Sequence, residues 1–118
     1  MHSLTTLLTA LSAGAVTAQQ LCPAANNLFY QASSGRFYQI NCGIEYWTKT
    51  NLDSKQPIGD PIACASACDT WTANNPSRPC AAGSWENSTN VCFLKPGDIL
   101  VDKRNNTDVV SLVLTPPV

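Results

Sequence analysis

Six cysteines, Cys22, Cys42, Cys64, Cys68, Cys80 and Cys92, are the residues whose type and number most constrain the chemistry open to this 118-residue chain. An even set of this kind reads as a zinc site or as a disulfide framework. Zinc is disfavoured, because the one histidine, His2, lies in a segment read below as removed, and no paired C-x-x-C knuckles are present. No metal site is therefore expected. The missing histidine also leaves neither a Ser-His nor a Cys-His nucleophile to assemble, and oxidised cysteines cannot attack. The eight carboxylates, Glu45, Asp53, Asp60, Asp69, Glu86, Asp98, Asp102 and Asp108, leave glycoside hydrolysis open in principle, since it needs only two across one cleft. Asp60 reads better as a helix cap, Asp53 and Asp98 as turn residues, and the rest as solvated charges. A non-enzymatic chain is expected. No calcium-loop spacing occurs, and no cofactor is indicated.

The compartment follows from the amino terminus. Leu4 to Val16 is mostly apolar, which suits a signal-peptide core and is too short to span a bilayer. Small residues in Val16-Thr17-Ala18 put the cut near Ala18, with Ala13-Gly14-Ala15 as the alternative. Residues 1–18 thus read as a signal peptide and 19–118 as a single domain, too short for two hydrophobic cores. In an oxidising compartment the six cysteines pair as three disulfides. The net charge is -1, and only Lys103-Arg104 are adjacent among otherwise scattered basic residues, so the basic face that nucleic acid requires is absent. The end, Val109 to Val118, is apolar but short and proline-terminated, and reads as a closing strand rather than a lipid-anchor signal. A secreted monomer, extracellular or attached to a cell wall, with no membrane or nucleic-acid partner, is expected.

The positioning elements are a helix and several short strands. Leu28-Phe29-Tyr30 and Arg36 to Cys42 read as a hairpin broken at Ser33-Ser34-Gly35, which would draw Cys22 towards Cys42. Gly43 to Gly59 loses any clear period and reads as a surface loop, with Tyr46-Trp47 as an isolated aromatic cluster. Asp60-Pro61 starts the best helix, over about residues 61–73, and Asn74-Asn75-Pro76 ends it. Cys64, Ala67, Cys68 and Trp71 share one face, which must point inward. Arg78 to Trp85 and Val91 to Lys95 read as strands joined by a polar turn at Glu86 to Asn90. Ile99-Leu100-Val101 and Val109 to Leu114 read as further strands flanking the polar Asp102 to Asp108 segment.

Cys64 and Cys68, one helical turn apart on the same face, cannot easily bond to each other. Each reads as a rivet from helix to sheet, with Cys80 and Cys92 as the natural acceptors. Adding Cys22 with Cys42 completes one of the fifteen connectivities that six cysteines allow. The nested arrangement, Cys64 with Cys92 and Cys68 with Cys80, is preferred. The spacing Cys64-x-x-x-Cys68, then Cys80-Ala81-Ala82-Gly83-Ser84-Trp85, then Cys92-Phe93-Leu94-Lys95, resembles the PAN/Apple domain signature. Phe37-Tyr38-Gln39-Ile40-Asn41-Cys42-Gly43-Ile44-Glu45-Tyr46 resembles the form of that domain found in small secreted fungal proteins. The resemblance covers about residues 22–95 and leaves 96–118 as an extension. It implies an α+β, disulfide-rich fold, a small curved antiparallel β-sheet embracing one α-helix, and a role in binding carbohydrate or protein.

Binding to sugar needs aromatic rings that stack on apolar sugar faces. Trp71 and Trp85 read as core, leaving Tyr46 and Trp47 as candidate ligand contacts, Trp47 foremost. Two sequons, Asn87-Ser88-Thr89 and Asn105-Asn106-Thr107, fall in polar stretches read as turns and are candidate glycosylation sites, Asn87 the better. The leading expectation is a secreted module that binds extracellular glycan or protein at a cell wall or matrix. A small secreted effector or inhibitor acting on a protein, displaying loops 43–59 and 74–79, is the alternative. A carboxylate-dependent hydrolase ranks third.

Overall fold

A computed structural model describes residues 21–97 and 102–116. The signal segment 1–18 and the Ile99-Leu100-Val101 strand expectation lie outside the described residues. Helix α1 (Pro61–Asn74) begins where Asp60, in extended backbone, accepts the Ala63 N–H on Oδ1 at 2.7 Å, with Pro61 in the first turn where no N–H is needed. It ends where the Asn75 N–H bonds the Trp71 carbonyl at 2.8 Å, just before Pro76. Pro61, Ile62, Cys64, Ala65 and Cys68 are buried. The inward stripe is therefore centred nearer Ala65 than the sequence spacing suggests, which leaves Ala67 and Trp71 half-buried on its flank.

Among the described residues, six strands form one antiparallel sheet in the order β1-β2-β6-β4-β5-β3: β1 (Phe29–Gln31), β2 (Phe37–Tyr46), β3 (Asp53–Lys55), β4 (Ala82–Glu86), β5 (Val91–Lys95) and β6 (Lys103–Thr115). With α1 it makes an α+β disulfide-rich fold. Two readings of the sequence change. The stretch 43–59 is not all loop: β2 continues to Tyr46 across a bulge at Gly43 (φ 70°), and Asp53–Lys55 is an edge strand on β5. Across it the partner jumps from Val110 to Asn105, so the extra residues lie on β6, and the irregularity interrupts the period-2 signal of both strands there. The last strand is also longer and more central than a closing strand. Its polar half, from Lys103, pairs with β2 beyond the bulge (Tyr46 opposite Lys103, Ile44 opposite Asn105), and its apolar half lies between β2 and β4.

The sheet face under α1 carries Tyr38, Ile40, Trp85, Leu94, Leu112 and Leu114, packed on Ile62, Ala65 and the helix cysteines. Gly83 lies in the cross-strand row Ile40, Leu112, Gly83, Leu94. A Cβ there would stand 2.7 Å from Cys64 Sγ and 3.1 Å from the Cys64 carbonyl oxygen, so the missing side chain is what lets the helix approach this closely. Cys64 bonds Cys92 and Cys68 bonds Cys80, each with Cα atoms 5.4 Å apart, and Cys22 bonds Cys42 at 5.8 Å. In the chain-entropy description, loops of 12 to 28 residues make each bridge worth about 3 kcal/mol. The four helix-linked cysteines are at most 1% exposed, whereas Cys22 and Cys42 are half-buried.

The opposite face carries a buried polar row. Ser111 donates to the Ile44 carbonyl at 2.7 Å, so Ser84, 2.7 Å from Ser111 Oγ, donates to it. Lys95 is buried, with Nζ donating to Asn51 Oδ1 at 2.6 Å and lying over the Phe93 ring. Burial holds its ammonium below the ordinary lysine value, partly opposed by the Glu45 charge. Among the described residues no buried side-chain polar atom lacks a partner.

Candidate functional site

Half of α1 is committed to the sheet, and its other half faces outward between the two ends of that sheet. There Ser66, Thr70, Ala73 and Asn74 are exposed. Two open depressions flank this face and share Thr70. The first, about 330 Å³, lies between the last turns of the helix (Ala67, Thr70, Trp71, Asn74, Asn75) and the edge around β3 (Asp53, Lys55, Ile58). The second, about 490 Å³, lies between Ser66, Asp69, Thr70 and Ala73 and the β1–β2 turn, through Ser33, Ser34 and Arg36.

Trp71 is the aromatic element of the first depression. Its indole N–H donates to the Arg78 carbonyl at 2.7 Å, which ties the 75–79 loop to the helix and fixes the ring at the groove wall. Trp85 acts alike inside the core: it is 1% exposed, and its N–H donates to the Ile58 carbonyl at 2.7 Å, anchoring the opposite wall. On that wall Lys55 Nζ pairs with Asp53 Oδ2 at 3.1 Å. This hydrogen bond, with one from the Ser54 N–H, holds the Asp53 carboxyl below the usual carboxylate range.

Asp69 organises the second depression. Its carboxylate accepts from the Tyr38 hydroxyl, from Ser34 Oγ at 2.5 Å and from Arg36 Nη1 at 3.4 Å. Tyr38 reaches it from the core and is 1% exposed. Burial pushes the Tyr38 phenol well above its ordinary value, and the hydrogen bond to Asp69 and the Asp69 charge add to the rise. In each depression the lining cation is paired with a lining carboxylate, so neither presents a strong field of one sign. Both present hydroxyls and a neutralised ion pair, and the first adds the Asn74 and Asn75 amides and an indole.

The aromatic pair singled out from the sequence separates. Tyr46 is not a surface contact: it is 4% exposed, and its hydroxyl donates to Asn41 Oδ1 at 2.6 Å, because the bulge at Gly43 turns the end of β2 so that this ring covers the polar row. Trp47 is 38% exposed, and the Arg104 guanidinium, itself paired with Asp102, lies 4.2 Å from its ring centroid. Asn87 is exposed in the β4–β5 turn. Asn105 is exposed too, but on β6 and not in a turn. Trp71, read as core from the sequence, is half-buried against that core and also lines the first depression. The usable signal was its polar neighbourhood, Thr70, Asn74 and Asn75, on the flank of an otherwise small-residue helix.

Among the described residues no cluster of His, Cys, Asp or Glu can hold a metal ion, and no helix is long and apolar enough to cross a membrane. No protein-family model matches the chain, and no curated protein is significantly similar to it.

Proposed function

We propose that this chain is a secreted, PAN/Apple-like binding module that recognises extracellular carbohydrate through the outer face of α1. The observation that carries this reading is the pair of depressions meeting at Thr70, with the Trp71 indole at one wall and charge-neutral sets of hydroxyl, amide and ion-pair groups around it. Sugar rings offer apolar C–H faces and many hydroxyls, which call for an aromatic surface and planar donors and acceptors held at fixed positions. Three disulfides in a small domain favour an oxidising, extracellular setting. Binding without turnover is favoured because each depression contains one carboxylate, Asp53 or Asp69, and each is occupied as a hydrogen-bond acceptor.

Isothermal titration against a panel of soluble cell-wall and matrix oligosaccharides tests the reading. Saturable binding to a neutral member, lost in Thr70→Arg, which fills the junction of the two depressions from an exposed helix position, is the expected result. No binding by the wild type at millimolar ligand would overturn it. The exposed Trp47 with its stacked Arg104 supports a second reading, a protein partner docked at that corner, since Trp and Arg are the side chains that most often anchor such interfaces. Trp47→Ala would then abolish capture of the partner while Thr70→Arg leaves it intact.

A further inference from the structure

A third depression, of about 450 Å³, lies away from the outer face of α1 and falls in the size range of small-ligand sites. Its lining includes Pro23, the Cys22–Cys42 disulfide, Val109, Thr107 and Asn87. Asn87 is thus both an acceptor-sequon asparagine and a wall of the depression. Its turn is pinned at the base by Asp108, whose main-chain oxygen accepts the Asn87 N–H at 2.8 Å and whose carboxylate accepts Ser88 Oγ at 2.6 Å. Anything linked to Asn87 therefore starts from a fixed point beside the half-buried disulfide.

We propose that Asn87 carries an N-linked glycan whose first N-acetylglucosamine lies in this depression, its apolar face on the exposed Pro23, and shields the Cys22–Cys42 bond. The inference rests on the secretory part of the function proposed above and not on carbohydrate recognition at α1. In the linkage step the Asn87 amide nitrogen bonds to C1 of the sugar of a lipid-diphosphate-linked oligosaccharide. The C1–oxygen bond breaks, the lipid diphosphate leaves with the electron pair, and the amide proton passes to a base of the transferase. The shielded bond is the one that matters for exchange, because attack by a thiolate needs access to sulfur and the other four sulfurs are buried.

The test secretes the full chain from a eukaryotic host behind an established signal sequence, so that failure of residues 1–18 as a signal does not bear on the outcome. Intact mass is expected to show a glycan that Asn105→Gln leaves in place at Asn87 and that both Asn87→Gln and Thr89→Ala remove. A secreted chain with Asn87 unmodified would overturn the proposal. Reduction of Cys22–Cys42 by a small thiol, followed by alkylation and peptide mass, then locates the sugar. Protein trimmed enzymatically to the first N-acetylglucosamine is expected to react more slowly than Asn87→Gln or Thr89→Ala, by on the order of threefold or more. Equal rates in the trimmed and sugar-free proteins would overturn the placement.

Discussion

Replacing Gly83 by alanine adds one methyl group at the closest approach of helix to sheet. The new Cβ would meet Cys64 Sγ at 2.7 Å and the Cys64 carbonyl oxygen at 3.1 Å. Neither neighbour can swing aside: the sulfur is bonded to Cys92, and the oxygen belongs to the main chain of α1. Relief requires α1 to lift from the sheet, and overpacking of this kind costs about 1–3 kcal/mol. Alanine also restricts the unfolded chain relative to glycine, which returns about 0.4–1 kcal/mol. The net expectation is a loss of about 1–2 kcal/mol, and a domain of this size converts each kcal/mol into roughly 4–8 °C of melting temperature. Gly59→Ala is the matched control, because nothing lies within 4 Å of its Cβ position and only the unfolded-state gain of about 0.4–1 kcal/mol applies. Urea denaturation of both variants with disulfides intact, read by circular dichroism, should move the midpoints in opposite directions. Equal shifts of the same sign would refute the close packing of α1 over Gly83.

The Asp69 cluster is expected to respond asymmetrically. Asp69→Ala strands the buried Tyr38 hydroxyl and should cost about 1–3 kcal/mol in urea denaturation, whereas Tyr38→Phe removes the donor and leaves Asp69 with Ser34 and Arg36, costing about 1 kcal/mol or less. Stability should also fall as the solution turns alkaline. Burial raises the phenols of Tyr38, Tyr30 and Tyr46 above the ordinary 10.0, and Asp69 adds to the rise at Tyr38 and Tyr30. The unfolded chain therefore loses these protons first, holds fewer protons than the folded one, and is favoured as pH rises past that value. Tyr38→Phe should lose stability less steeply than wild type between about pH 9 and pH 11 in the same assay.

Helix and rivets were legible because their signals are local. The Asp60-Pro61 start, the Asn75-Pro76 stop and two cysteines one turn apart act within a few residues of themselves. The sheet was legible where β-branched and aromatic residues cluster between turns, as in Arg36 to Cys42, Val91–Lys95 and Val109 to Leu114. The register shift at Gly43 interrupts β2, and Lys103 to Asp108 carry no apolar stripe: Lys103, Arg104 and Asn105 hold their place in β6 by pairing with the far end of β2, and Asn106 to Asp108 fall in the shift. The helix-face site was half legible. Trp71 falls on the spacing of the cysteine stripe, and only the rotation of α1 about its axis, fixed by packing over Gly83, turns the indole to the flank. Trp47 was legible as exposed, but its pairing with Arg104 depends on the β2–β6 register and could not be read from spacing.

Chemical-shift mapping of the labelled domain, titrated with the neutral oligosaccharide that binds most tightly, tests the central claim most directly. The expected result is saturable shifts confined to the amides of Arg36, Lys55, Thr70 and Asn74 and to the Trp71 indole N–H, all abolished in Thr70→Arg. Shifts centred on the Trp47 indole and Arg104, or a spectrum that every glycan leaves unmoved, would contradict it.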